Sequence, residues 1–161
     1  MIEVRPLADT DRGWAAEVET ESWGEPLVAR RGELVDPTAL PGFVAWLNGE
    51  RAGLVTYAVR GDECELVTIR SLREGQGVGR ALLDAVREAA VAERCRRLWL
   101  VTTNNNGRAL ELYQRWGMDL VALHRDAVNE ARRRLKPSIP LVDAKGIPIA
   151  HELELELLLT R

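Results

Sequence analysis

The feature that most constrains the fold of this chain is a glycine-rich loop between a strand-like run and a helix-like run. The loop reads Gly75-Gln76-Gly77-Val78-Gly79; the strand-like run 65–69 precedes it, and apolar residues at helical spacing follow it. Alternating glycines let backbone N–H groups approach a ligand closely, and a helix N-terminus adds the positive end of its dipole. The loop therefore predicts an α/β fold that binds a phosphorylated cofactor.

The residues around the loop exclude two common classes of phosphate-binding site. A nucleotide triphosphatase needs Lys followed by Ser or Thr after the last glycine, where this chain has Arg80-Ala81. A dinucleotide-binding fold needs the spacing G-x-G-x-x-G and an acidic residue after the next strand, but here that strand, 97–103, is followed by Asn104-Asn105-Asn106. These exclusions favour a third class, in which strand backbone and loop together bind a long, thin cofactor.

The loop and a second block resemble the GNAT superfamily of N-acetyltransferases. Residues 74–79 fit the family's cofactor loop, Q/R-x-x-G-x-G/A, except at Glu74, and residues 106–117 fit its downstream segment, N-x-x-A-x-x-x-Y-x-x-x-G. The resemblance covers residues 50–120 by motif. It implies an enzyme that transfers an acetyl group from acetyl-coenzyme A (acetyl-CoA) to a primary amine, of a small molecule or a protein, by direct attack on the thioester.

The resemblance leaves two alternatives open. One is an acyltransferase that uses a longer acyl chain, since the difference lies in the depth of the pocket near the thioester. The other is a non-catalytic domain that binds acyl-CoA as a sensor or partner module. No cysteine falls in either motif, which disfavours a covalent acetyl-enzyme.

The order of the predicted elements indicates a mixed α/β fold. Antiparallel strands come first, with turns at Asn48-Gly49 and Gly61-Asp62, and a helix from Val78 with a buried strand at 97–103 then forms a βαβ crossover. We expect a single acetyltransferase domain over residues 1–161, with about seven strands in a mixed sheet and helices on both faces. The resemblance adds that two central parallel strands are splayed apart. The other predicted elements are strands at 1–6, 42–47, 52–59, 63–69 and 151–157, and helices at 10–22, 107–116 and 127–135.

The resemblance assigns roles to individual residues. The backbone of Val67, Thr68 and Ile69 would bind the pantetheine amides and polarise the thioester carbonyl. Asn106 would contact the same arm, although it also suits the N-cap of its helix. Tyr113 would bind the cofactor sulfur and protonate the departing thiolate, although most helical tyrosines are core residues. The other predicted cofactor-binding residues are Arg73, Gly75, Gln76, Gly77, Val78, Gly79, Arg80 and Ala109.

Charged residues near these motifs bear on cofactor binding and on the choice of catalytic base. Glu74 stands where the family has Gln or Arg and would repel a pyrophosphate, and the flanking Arg73 and Arg80 are the expected compensation. Glu63 and Glu65 lie two residues apart on the cofactor strand, hence on one face, and are the candidates for the catalytic base. Solvated charges on a hairpin are the alternative for each of them.

The charge and composition of the whole chain indicate where the protein acts and what it binds. It has 161 residues and a formal net charge of −3, so general binding to nucleic acid, which depends on neutralising phosphates, is not expected. No apolar run approaches the ~20 residues that span a bilayer, and the two cysteines show no disulfide or metal spacing, which fits a cytoplasmic protein. The basic run 132–134 with Lys136 suggests a solvated helix face, or a site for an acidic acceptor or the cofactor's 3′-phosphate.

The predicted strand at 151–157 bears on assembly. Its glutamates alternate with leucines, so we expect one buried and one solvated face. A terminal strand of this kind is often a sheet edge, where backbone groups remain available to a second chain. The sequence therefore favours a homodimer, formed by strand exchange or through the helix at 127–135.

Overall fold

The computed structural model describes residues 1–159, apart from the side chains of Ser22 and Trp23. The strands are β1 (Ile2–Pro6), β2 (Val28–Arg30), β3 (Glu33–Val35), β4 (Gly42–Leu47), β5 (Glu50–Arg60), β6 (Glu63–Ser71), β7 (Arg97–Thr103), β8 (Asp119–His124) and β9 (Glu152–Leu158). The helices are α1 (Arg12–Trp23), α2 (Val78–Ala92), α3 (Gly107–Trp116) and α4 (Ala127–Arg134).

The central sheet is mixed and has seven strands in the order β1-β4-β5-β6-β7-β9-β8. Its one parallel pair is β6 with β7, and the other neighbours are antiparallel. β2 and β3 form a separate two-stranded hairpin. The predicted mixed sheet with a central βαβ crossover is confirmed.

Helices cover both faces of the sheet. Successive residues of a strand point to opposite faces, so neighbouring residues of β5 pack in different cores. Val55 of β5 packs in the larger core with the apolar stripe of α2. The adjacent Leu54 packs in a second cluster with Ala15 and Val18 of α1. The stripe of α2 repeats about once per helical turn, which buries one face of the helix. Its buried residues are Val78, Leu82, Leu83, Val86 and Ala90.

The parallel strands β6 and β7 separate along their length. In the described chain they pair at three positions, from Glu63 opposite Arg97 to Glu65 opposite Trp99. Beyond this point β6 stays paired with β5, with a register shift that skips Val67, and β7 stays paired with β9. The two strands therefore diverge toward their carboxyl ends and leave a gap in the sheet, as predicted.

The prediction that the last strand forms the sheet edge is wrong. β9 lies between β7 and β8, so β8 is the edge. The sequence does not predict β8, because a register shift between Leu120 and Ala122 disturbs the alternation that marks a strand. The glutamate face of β9 is not solvated either: Glu152 is 4% exposed, and Glu154 contacts both Arg97 and His124.

Among the described helices, none combines the length and the apolar character that a bilayer crossing requires.

Candidate active site

The gap between β6 and β7 forms a cavity of about 400 Å³, a size typical of small-ligand sites. Residues 66–70 of β6 and 100–103 of β7 form part of its wall. Asn105, Asn106 and Tyr113 line it from α3 and the turn before α3. Residues of β2, of α4, of the segment after α4 and of β9 complete the wall. The cavity therefore adjoins the backbone of Val67, Thr68 and Ile69, as the predicted donor site requires.

The glycine loop lies at the N-terminus of α2. Gly75 and Gly77 have φ values of +72° and +82°, a conformation that side chains disfavour, and Gly77 is the N-cap residue of α2. The first N–H groups of a helix have no partner within it, so those that follow Gly77 are suited to an anion. Val78 is buried in the core and Gly79 packs close to Leu112. The exposed members of the predicted set are Arg73, Gly75, Gln76, Gly77 and Arg80.

Glu74 pairs with an arginine that sequence reasoning missed. Its Oε1 lies 2.8 Å from Nη1 of Arg108 in the first turn of α3, and this contact lowers the pKa of the carboxyl. Arg73 is engaged elsewhere, 3.1 Å from Glu50. Arg108 therefore supplies a compensating charge that Arg73 does not. Opposite charges in the two motifs were the only sequence signal for this pair.

Tyr113 and Asn106 reach the cavity from α3. Tyr113 is 6% exposed, and burial raises its pKa to about 12, so the phenol remains protonated at neutral pH. The side-chain oxygen of Asn106 accepts a hydrogen bond from the N–H of Ala109 (3.4 Å), and its amide donates to the Thr102 hydroxyl (3.2 Å). Asn106 is thus the N-cap of α3, and its contact with a cofactor stays a prediction.

The two predicted catalytic bases do not line the cavity. Glu65 is 3% exposed and accepts two hydrogen bonds from Arg30 of β2, one of them 2.7 Å from Nε. Glu63 contacts Arg96 and Arg97 at the end of β6 where the strands are still paired. Both carboxylates therefore lie off the cavity wall and pair with arginines, of which Arg30 itself lines the cavity.

Glu152 is the one carboxylate among the described residues that line the cavity. It is the first residue of β9 and is 4% exposed. Its oxygens accept hydrogen bonds from the backbone N–H and the guanidinium of Arg31, each at 3.1 Å. The sequence alone does not single out Glu152, because the regular alternation of glutamate and leucine in β9 predicts that all three glutamates lie on a solvated face.

Three more charged groups lie beside the cavity: Lys136 and Glu19 are buried, and Arg70 is partly buried. Lys136 is 5% exposed, lines the cavity and donates to the carbonyl of Leu27 at 2.8 Å. Arg70 of β6 also lines it, and its Nε lies 3.4 Å from Oε1 of Glu19 in α1. Burial raises the pKa of Glu19 and lowers the pKa of Lys136. The predicted solvated face after α4 is therefore wrong for Lys136.

A model of the acetyltransferase (GNAT) family matches residues 8–118. The chain belongs to this family. The GNAT assignment confirms the resemblance seen in the two motifs, and it supports acetyl-CoA as the co-substrate. The chain is 40% identical over 132 residues to the uncharacterized protein YdhI of Bacillus subtilis, covering 81% of this chain and 82% of YdhI. It is 37% identical over 133 residues to YxbD of the same organism, with the same two shares.

Solved structures share the fold of this GNAT protein. The Escherichia coli ribosomal-protein-S18-alanine N-acetyltransferase superposes with a TM-score of 0.71 at 20% identity, over 100% of this chain and 96% of that one. A GNAT acetyltransferase from Elizabethkingia anophelis, determined with acetyl-CoA bound, gives 0.70 at 18% identity, over 98% of both chains. At these identities the similarity shows the fold and leaves the acceptor open.

Proposed function

We propose that this GNAT protein is an N-acetyltransferase that transfers the acetyl group of acetyl-CoA to a primary amine, by direct attack of the amine on the thioester. The observation that carries the proposal is the cavity between the splayed strands β6 and β7, with Tyr113 on its wall and the glycine loop following β6. Tyr113 and the glycine loop lie in the two motifs through which the chain resembles the family.

The backbone of β6 supports a role in binding the acetyl donor. Beyond Glu65, β6 makes no sheet pairing with β7 in the described chain, so backbone groups of residues 67–69 that face the gap are available to a ligand. An N–H directed at the thioester oxygen stabilises the negative charge that develops there during attack. The exposed N-terminus of α2 is suited to the pyrophosphate of the same donor.

Tyr113 is the proposed proton donor. When the amine nitrogen bonds to the carbonyl carbon, the carbon–sulfur bond breaks and the sulfur takes its electron pair, so it needs a proton. The phenol of Tyr113 is protonated at neutral pH, so it can donate a hydrogen bond or a proton to the departing sulfur. The phenolate then recovers a proton from solvent.

Glu152 is the proposed proton acceptor for the amine. It is the carboxylate on the described cavity wall, whereas Glu63 and Glu65 remain predictions whose side chains lie elsewhere. A direct route, without a covalent acetyl-enzyme, is supported by the cysteines. Cys64 and Cys95 are buried and do not line the cavity, and burial raises the pKa of Cys64 to about 12, far from a reactive thiolate.

The test is an acetylation assay on the purified protein. Acetyl-CoA is offered with a panel of amines; free CoA is followed with a thiol reagent, and products are identified by their acetyl mass increment. We expect CoA release that depends on the amine. Donor binding without transfer to any amine would contradict the proposal and favour a non-catalytic acyl-CoA-binding domain. A strong preference for longer acyl-CoA donors would favour the other alternative.

The proposal includes the setting of the enzyme. We propose one acetyltransferase domain over residues 1–161 that acts in the cytoplasm, on an acceptor other than nucleic acid and away from membranes, and that forms a homodimer. The net charge of −3 supports the exclusion of nucleic acid as the acceptor. The exposed edge of β8 supports the homodimer, which sedimentation of the protein can test.

A further inference from the structure

Aliphatic side chains form a continuous part of the cavity wall. Val128 and Ala131 of α4 and Ile149 are buried, and all three line the cavity. They belong to neither of the two apolar cores that pack α1 and α2 against the sheet. Other aliphatic residues of β2 and of the segment after α4 line the cavity with them. The aliphatic patch is defined here as Val28, Ala29, Val128, Ala131, Ile139 and Ile149.

The aliphatic patch lies beside Glu152, the proposed proton acceptor. Ile149 precedes Glu152 by three residues, and the backbone N–H of Val128 donates to the carbonyl of Ala150 at 3.0 Å. Arg31, whose backbone N–H donates to Glu152 at 3.1 Å, directly follows β2 of the patch. An amine whose nitrogen meets Glu152 therefore has its substituent next to aliphatic side chains.

The charged groups on the described wall contact other groups of the protein. They are Arg30, Arg70, Lys136 and Glu152. Their partners include Glu65, Glu19, the carbonyl of Leu27 and Arg31, respectively. These contacts exist without a ligand, whereas the aliphatic patch gains an apolar partner only when a ligand covers it. Apolar surface that faces water is unfavourable, so the patch favours a ligand with an apolar group.

We propose that the acceptor is a primary amine whose substituent is a short, uncharged aliphatic group, and that the aliphatic patch binds this group. This inference rests on the proposed N-acetyltransferase function and specifies its acceptor. Each methylene that the patch removes from water strengthens binding roughly 4-fold. A charged substituent in the same place would lose its water, and that loss is costly unless the charge is paired.

The volume of the cavity limits the substituent to a short chain. About 400 Å³ must hold both the reacting end of the donor and the acceptor. That volume lies at the lower end of the range for ligand pockets, roughly 300–1,000 Å³. The gain from each added methylene should therefore end once the patch is covered.

The experiment measures kcat/KM for unbranched primary alkylamines from ethylamine to hexylamine, with acetyl-CoA at saturation. These amines have nearly the same pKa, so the neutral fraction stays constant along the series. We expect kcat/KM to rise roughly 3- to 4-fold per methylene until the patch is covered. The ω-amino carboxylate and the diamine of the same length should each be poorer acceptors by at least about 10-fold, because their second charge loses its water.

Ala131→Leu narrows the cavity at the patch, and Ala92→Leu, at the exposed end of α2, is the matched control. The measured quantity is the ratio of kcat/KM for butylamine to that for ethylamine. We expect Ala131→Leu to lower this ratio about 10-fold or more and Ala92→Leu to leave it unchanged. The ratio is measured within one sample, so it does not depend on how much of the variant is folded, and the wild-type series decides the matter even if Ala131→Leu does not fold.

The outcomes separate this inference from the proposed function. Transfer that does not depend on the length of the alkylamine, or that favours the charged comparators, would overturn the aliphatic acceptor and leave the acetyltransferase standing. A preference for butyryl-CoA over acetyl-CoA, with no effect of amine length, would assign the patch to the acyl chain and likewise overturn it. Absence of transfer to every amine, despite donor binding, would overturn both.

Discussion

At the scale of single residues, the proposed proton donor Tyr113 is buried on the cavity wall. Its raised pKa, about 12, keeps the phenol protonated throughout the neutral range. We expect Tyr113→Phe to lower kcat roughly 100-fold, the usual effect of losing a positioned proton donor, with little change in the affinity for acetyl-CoA. Tyr57→Phe is the matched control, since Tyr57 stacks on Phe43 away from the cavity. Full activity of Tyr113→Phe would make water the proton donor and Tyr113 a core residue.

The same shift predicts how stability depends on pH. Tyr113 has a higher pKa folded than unfolded, so its stabilising contribution is complete below pH 10 and is lost as pH rises through its folded pKa of about 12. The loss is on the order of 2 kcal/mol in the free energy of unfolding. Urea unfolding between pH 9 and 11 should show the wild type losing stability faster than Tyr113→Phe. Parallel curves would contradict the buried, protonated phenol.

The raised pKa of Glu19 likewise predicts that stability falls as pH rises, here between acidic and neutral pH. Burial raises its pKa, more than Arg70, Thr68 and Lys136 lower it, so the net environment disfavours the carboxylate. The wild type and Glu19→Gln should be similarly stable below the ordinary carboxyl pKa. As pH rises toward 7 the wild type should become the less stable of the two, whereas the exposed control Glu17→Gln should follow the wild type. A wild type that is more stable at pH 7 would show that the neighbouring cations outweigh the desolvation.

At the scale of elements, a buried ion pair attaches the hairpin of β2 and β3 to the central sheet. Arg30 and Glu65 have side chains only 6% and 3% exposed. We expect Arg30→Met to lower the free energy of unfolding by about 3 to 5 kcal/mol, because it leaves a buried carboxylate without its partner. Arg60→Met, which breaks an exposed pair with Glu33, should change it by less than about 0.5 kcal/mol.

The double variant Arg30→Met/Glu65→Leu tests the role of Glu65 itself. Replacing both charges with apolar groups should restore most of the stability that Arg30→Met loses. Arg30 lines the cavity and Glu65 does not, so we expect the double variant to have the same kcat per folded molecule as Arg30→Met. A kcat in the stable double variant far below that of Arg30→Met would support Glu65 as the catalytic base. Chemical denaturation and the acetylation assay together decide between the two outcomes.

The elements also show which parts of the structure a sequence can predict. The glycine loop, α2, α3 and the splay depend on local spacing and on two family motifs, and all four are where they were expected. The buried Lys136, the Arg30–Glu65 pair and Glu152 on the cavity wall were missed. Each depends on contacts between distant segments, as between residues 30 and 65, which are 35 positions apart. Local patterns contain no information about which of two alternating charged residues meets such a partner.

At the scale of the whole molecule, the exposed edge of β8 favours a second copy of the chain as its partner. Leu120, Val121 and Leu123 are 50%, 45% and 54% exposed there, and β9 occupies only one side of the strand. Two copies related by a twofold axis would pair their β8 strands antiparallel. That arrangement brings Asp119 of one copy toward Arg125 of the other. Both are exposed, and neither makes an ion pair within the described chain.

We therefore expect a homodimer at micromolar concentration, with its edge charges setting the register. Asp119→Arg alone and Arg125→Asp alone should each shift sedimentation toward the monomer, because each places like charges opposite one another across the twofold axis. The double exchange restores opposite charges and should restore the dimer, more clearly at low salt, where exposed charges are less screened. An Asp9→Arg control, at an exposed position far along the chain, should leave the dimer intact. A single species of monomer mass for the wild type at both low and high salt would show that the β8 edge remains unpaired in solution.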